Sequence, residues 1–167
     1  MSSRGRLAKW LRSQSDSLTT SEYMPDARNG EVKNGVRCED VQNLTFKDAS
    51  FDLVTSTEVF EHVADDYAGF SEVRRVLRPG GKFIFTACIG GAPHTVERAR
   101  IIDGEIIHLH EPEYHGDPFF GHEHVLCMRN YGLDIVQRLR DCGFSRAKLV
   151  QPIPDTHYTS RVAVAER

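Results

Sequence analysis

The chain of 167 residues has no run of the roughly 18 apolar residues that a membrane-crossing helix requires. Its first residues, Met1-Ser2-Ser3-Arg4-Gly5-Arg6, lead into an amphipathic segment and lack the apolar core of a secretory signal. No membrane association is expected, and the chain is placed in the cytoplasm. An excess of either charge is also missing, since 21 basic against 24 acidic residues give a net charge of -3 and a pI near 6.2. That balance excludes a general pull toward nucleic acid and favours a small-molecule or protein partner. Cysteine is sparse and scattered. Cys38, Cys88, Cys127 and Cys142 form no Cys-x-x-Cys pair, which excludes a zinc knuckle or redox dithiol and suits free thiols in a reducing compartment. The length, with 40% hydrophobic content, suits one domain with a real core and is too short for two.

What is present is organised around residues 43–87. Phe51, Leu53 and Val54 form a short apolar run behind an acidic turn, and Lys82 to Cys88 is rich in β-favouring Phe, Ile and Thr. Between them Phe70, Val73, Val76 and Leu77 recur at helical spacing, with Asp65 or Asp66 as cap and Pro79-Gly80-Gly81 as stop. Two strands joined by such a crossover should be parallel and right-handed, a βαβ unit.

On the amino-terminal side, Leu7, Trp10 and Leu11 share one face of a predicted helix over 4–12, with Ser2 or Ser3 as cap. Short strands are predicted over 17–23 and 36–41. The three residues between the turn signals Asn29-Gly30 and Asn34-Gly35 are too few to assign a hairpin. On the carboxyl side, 89–128 has no sustained period and holds six histidines, His94, His108, His110, His115, His122 and His124. We read it as a lid or substrate wall. A helix is predicted over 131–142 with Gly143 as its stop, then two strands near 147–151 and 161–165 joined in hairpin fashion.

The order Asp40, Leu44 with Phe46, Phe51-Asp52-Leu53-Val54, Glu61-His62 and Arg75-Val76-Leu77-Arg78-Pro79-Gly80-Gly81 resembles the middle of class I S-adenosylmethionine-dependent methyltransferases of the type 11 domain family. The resemblance implies a Rossmann-like α/β fold, a mostly parallel sheet with an antiparallel carboxyl-terminal strand. It implies S-adenosyl-L-methionine as cofactor and methyl transfer to a small-molecule acceptor. It also makes an absence visible: no first strand and no Gly-x-Gly-x-Gly loop precede the first helix, so the fold is read as N-terminally truncated. That strand would lie centrally, and its loss leaves unpaired backbone in a gap of the sheet. Three repairs are open. The second and fourth strands pair directly, a second chain fills the gap, or the natural protein starts upstream of Met1. A homodimer or a contracted sheet is expected.

By the same resemblance Glu22 takes the ribose hydroxyls and Asp40 and the Val41 backbone read the adenine, and Thr57 is also placed among the cofactor-binding residues. Gly5, beside Arg4, is the local candidate for the methionine end. Glu58, with Tyr114 and His115 from the rigid 112–118 stretch, is assigned to the substrate. His62 is the candidate general base, its ordinary pKa suiting proton removal near neutrality. Glu58-Val59-Phe60-Glu61-His62 also resembles the Glu-x-x-Glu-His of ubiquinone-type O-methyltransferases, which holds magnesium. Pocket-lining roles are the preferred account of that motif and of the His108–His124 series, and no metal is assigned. The alternative reading is a truncated or degenerate methyltransferase fold serving as a dimerising or partner-binding module. A metal-dependent hydrolase or metal-binding protein built on the histidines ranks third.

Overall fold

A computed structural model describes residues 5–117, 122–151 and 161–167, excepting the side chains of 117 and 122–124. The elements in chain order begin with α1 (Gly5–Gln14), β1 (Ser21–Glu22), β2 (Val32–Lys33) and β3 (Val36–Cys38). Next come β4 (Phe51–Thr57), a 3-10 turn (Phe60–His62), α2 (Asp66–Val76) and β5 (Leu77–Thr86). The wall region holds β6 (Val96–Glu97), β7 (Ala99–Ile102), β8 (Glu105–His108), β9 (Tyr114–Asp117), β10 (His122–Leu126) and β11 (Arg129–Asn130). The chain closes with α3 (Ile135–Asp141), β12 (Arg146–Val150) and β13 (Val162–Glu166).

The βαβ unit forms as the sequence predicts. Parallel β4 and β5 pair from Phe51–Leu77 to Thr57–Thr86, and α2 crosses between them. Asp65 caps α2 by accepting from the Ala68 N–H. Antiparallel β13 then joins β5, and β12 joins β13, giving the order β12-β13-β5-β4. Strand alternation puts Phe83, Phe85 and Ala87 on the face that meets α2, whose Phe70, Val73 and Val76 recur at helical spacing. Phe60 stacks on Phe70 at 4.5 Å between ring centroids, and Phe83 on Phe85 at 4.4 Å. Each buried phenylalanine contributes about 1.5–3 kcal/mol of apolar burial, so this aromatic cluster anchors the core. Ile135 and Leu139 of α3 complete it.

Several boundaries differ from the sequence expectation. Pro79-Gly80-Gly81 does not lie outside the strand: β5 starts at Leu77 and passes through it, with a register shift against β4 between Phe51 and Leu53. Gly81 is needed there, because a Cβ would stand 2.8 Å from the Arg78 carbonyl oxygen. Asn34-Gly35 does close a hairpin, β2 against β3, with positive φ at both residues (52° and 77°). Tyr131 is not helical, and α3 begins only at Ile135. The wall 89–128 is not irregular but built from small antiparallel pairs, β7–β8, β9–β10 and β6–β11. Ser2 and Ser3 and the 152–160 connection lie outside the described residues.

The gap is visible. Parallel β1 and β3, with β2 beside them, make a sheet separate from the four-stranded one. Among the described residues the second and fourth strands do not pair directly, since β1 pairs only with β3 there and β4 has no ladder partner on its far edge. Leu53 of β4 is accordingly exposed.

Candidate active site

The site grows out of the turn after β4. Thr57 ends the strand, and Glu58 turns the chain in the left-handed region at φ 47°, which non-glycine residues seldom occupy. The 3-10 turn that follows buries Phe60 and Glu61 completely. Glu61 has no exposed surface, and neither carboxylate oxygen meets a hydrogen-bond donor in good geometry. Burial pushes its pKa up to about 8, and the nearby Glu58 charge adds to the rise, while the backbone N–H groups of Glu61 and Cys88 pull the other way. Burial also raises the thiol of Cys88, with Glu61 contributing.

The wall region docks against this turn. The Met128 N–H donates to the Glu61 carbonyl at 2.7 Å, and His62 Nδ1 lies 2.8 Å from the Leu126 carbonyl oxygen. His115 of β9 meets His62 edge to face at 4.9 Å between ring centroids. Its Nε2 is 3.2 Å from Glu113, whose carboxyl is held below the usual range first by His115 and then by Asn130. Cys127 lies behind them, its thiol donating to the Arg129 carbonyl and Asn130 Oδ1, with its pKa pushed up to about 12 mainly by burial.

A buried ion network fixes the turn from below. The Arg129 guanidinium donates to the carbonyls of Phe60, Val63 and Ala64, and pairs with Glu97 at 3.1 Å and Asp66 at 3.8 Å. Arg138 bridges the same two acids at 3.0 and 2.9 Å, and the Tyr131 hydroxyl donates to Asp66 at 3.0 Å. Two cations thus neutralise two carboxylates, the condition under which burying charge is tolerable.

Across the gap, parallel β1 and β3 run in register, Glu22 beside Cys38, so Glu22 and Asp40 come to the same end of that sheet. Asp40 Oδ1 accepts from the Gln42 N–H at 2.9 Å and from its amide at 3.1 Å, while Gln42 Oε1 accepts from the Asp65 N–H at 2.9 Å. Gln42 therefore ties the Asp40 loop to the start of α2. The Val41 side chain is in the core, which leaves only its backbone for recognition. Gly5 opens α1 with nothing within 4 Å of a Cβ position, and α1 buries only Ala8. Tyr114 is exposed at the rim.

The structure thus brings His62 and His115 together with Glu61, whose neighbour is Glu58, and places Glu22 and Asp40 at one end of the other sheet. Sequence reasoning gave Glu61 a pocket-lining place in the motif, whereas it is fully buried, and it assigned no site role to Cys127 or Arg129. Their positions depend on β9–β11 folding back over the turn, for which no local periodicity exists.

Residues 2–85, half of the chain, match the family described as methyltransferase domain. A ubiquinone biosynthesis O-methyltransferase from Coxiella burnetii is 30% identical over 60 residues, 36% of this chain and 26% of that protein. A demethylmenaquinone methyltransferase from Mycobacterium sp. is 44% identical over 45 residues, 27% of this chain and 20% of that protein. The matches therefore span about a quarter or less of these curated relatives. In fold, the crystal structure of an S-adenosylmethionine-dependent methyltransferase from Mesorhizobium loti superposes with a TM-score of 0.58 at 17% identity, covering 96% of this chain and 85% of the other. The Rossmann-like sheet and the matched half of the sequence agree, and the chain belongs to the methyltransferase domain family.

Proposed function

We propose that the chain carries out S-adenosylmethionine-dependent methyl transfer to a small-molecule acceptor bearing an ionisable hydroxyl. The observation that carries the reading is the shared placement of acidic groups and an imidazole turn at strand ends: Glu22 and Asp40 after β1 and β3, and Glu58 to His62 after β4. Ligands of open α/β sheets sit beyond the carboxyl ends of the strands. The adenosine half fits the residues present. Glu22 offers two acceptor oxygens for a ribose diol, and Asp40, positioned by Gln42, accepts from an exocyclic amine. Gly5 is the residue assigned to the methionine end and Thr57 to the cofactor without a stated end, and Gly5 has the open space a close backbone approach needs.

When bound, the cofactor supplies an electrophilic methyl group. The chain's own contribution is to hold the acceptor in line and to take up its proton as the new bond forms. His62 does the second, its Nδ1 turned to the Leu126 carbonyl so that Nε2 carries the lone pair. Glu58, Tyr114 and His115 contact the acceptor. A hydroxyl acceptor is also suggested by similarity to the Coxiella O-methyltransferase.

Calorimetry with S-adenosylmethionine and its demethylated product tests the cofactor half. Glu22→Gln and Asp40→Asn should each weaken binding about tenfold, the value of one charge-assisted hydrogen bond. Turnover unchanged in His62→Ala would reject its role. The open edge of β4 favours a second reading, a non-catalytic pairing module, and no binding at millimolar cofactor would select it. We also propose that two copies pair across the β4 edge.

A further inference from the structure

We propose that Glu61, His62 and His115 bind one divalent cation of the zinc class just beyond the carboxyl end of β4. One ligand atom from each lies within 4.8 Å of the other two. Ligands bonded at 2.0–2.1 Å in a tetrahedral shell stand about 3.3 Å apart, so modest side-chain movement closes the site. Glu61 is the second and independent observation. A carboxyl group with no exposed surface, neither of whose oxygens makes a hydrogen bond of good geometry, is costly, and folded proteins normally satisfy such a group. A cation satisfies it.

Both histidines are already oriented as metal ligands usually are, with the other ring nitrogen given to a carbonyl or a carboxylate. His62 Nδ1 faces the Leu126 carbonyl at 2.8 Å, and His115 Nε2 faces Glu113 at 3.2 Å. With Nε2 given to Glu113, Nδ1 is the ligating atom of His115. The neighbouring combination of Glu113, His115 and Cys127 is the weaker choice. Glu113 is already engaged by Arg98, Asn130 and His115, and the Cys127 thiol is a committed donor to two oxygens. Two imidazoles and one carboxylate favour a borderline transition ion over magnesium, which prefers oxygen ligands. The set also differs from the one the motif resemblance implies, because Glu58 is replaced by His115 from the wall.

Three protein ligands leave one position open, as in catalytic zinc centres. One consequence rests on the methyl-transfer reading: with the ion bound, His62 is a ligand and no longer the base. The ion takes over its task by making an acceptor hydroxyl in the open position lose its proton to solvent more readily. Cation binding itself does not depend on that reading.

The test uses the full chain without a histidine tag, stripped with chelator and titrated with Co²⁺ and Zn²⁺ by calorimetry and visible absorption. The expected result is one equivalent bound at micromolar affinity or tighter, with the intense visible bands of four-coordinate cobalt and no displacement by excess Mg²⁺. Glu61→Gln and His115→Ala should each weaken binding at least tenfold with unchanged circular dichroism, and Cys127→Ser should leave it intact. Affinity unchanged in both of the first variants places the ion on other histidines and overturns the proposal. So does a near-ultraviolet thiolate band that disappears in Cys127→Ser. Cofactor calorimetry on the same samples separates the two readings, since cation binding without cofactor binding retires methyl transfer and leaves the cation site standing.

Discussion

At the scale of single residues, Glu61 sets the pH behaviour of the metal-free protein. Its carboxyl has an ordinary value of 4.5 and is pushed up to about 8 by burial, so the fold prefers it protonated. The stabilising contribution is fully present below the unfolded value, is lost as pH rises toward about 8, and is constant beyond. At about 1.4 kcal/mol per pKa unit the loss amounts to a few kcal/mol. Urea midpoints in the presence of chelator should therefore fall between weakly acidic and alkaline pH, and Glu61→Gln should flatten that slope and be the more stable form at alkaline pH. An equal slope in both proteins would show that Glu61 is not buried as described. Gly132 gives a prediction of another kind. A Cβ there would stand 2.3 Å from the His94 carbonyl carbon and 2.8 Å from the Ala92 carbonyl oxygen, both backbone atoms that cannot turn aside. Gly132→Ala should cost at least about 1–3 kcal/mol, the range for overpacking, read as a lowered denaturation midpoint. Nothing in the sequence around Gly132 signals this, because the clash partner lies 38 positions away in the wall loop.

At the scale of elements, the Arg-x-Leu-x-Pro-Gly-Gly stretch acquires a physical meaning. Arg75, near the end of α2, donates to the carbonyls of Leu44 and Phe46, each at 2.8 Å, and pairs with Asp48 at 2.6 Å and Glu72 at 2.7 Å. Glu72 in turn accepts from the Leu44 N–H at 2.8 Å. One guanidinium therefore holds the loop between Asp40 and β4 against α2. Arg75→Met should destabilise by about 2–4 kcal/mol, because two carbonyls and a half-buried carboxylate lose their donors together. Arg75→Lys should recover less than half, since an ammonium cannot serve a fork of acceptors in one plane. Thermal unfolding of the three proteins checks the order. The βαβ unit was legible in the sequence because α2 and β5 show their own periods and an acidic cap, Asp65 or Asp66, marks where the helix starts. The β2–β3 hairpin was missed although Asn34-Gly35 is its turn signature, since two-residue strands leave no alternation to read. The Glu61–His62–His115 cluster was half legible. The pair stands in a motif, while its third member arrives on β9 through contacts of long sequence separation.

At the scale of the whole molecule, the sheet is divided, and the division determines what stabilises the fold. The four strands β12-β13-β5-β4 share a core with α2 and α3, whereas β1-β3-β2 is joined to them mainly through the Asp40–Asp48 loop and Gln42. Between the two, β4 presents backbone groups without a ladder partner among the described residues, with Leu53 exposed beside them. Such an edge attracts another strand, and natural proteins usually blunt it with lysine, proline or a bulge. Asp52 is the one charged residue within β4, and it is engaged by Arg78 at 2.5 Å. The edge is therefore poorly guarded, which supports the proposed pairing of two copies. Sedimentation of the full chain should give a dimer at micromolar concentration. Leu53→Lys adds the charge that protects edges elsewhere and, at an exposed position, leaves the core intact. It should shift the protein to monomer while the circular dichroism spectrum is retained. If the dimer survives that substitution, the contact lies on another surface. A monomeric wild-type chain would show that no second copy covers the β4 edge.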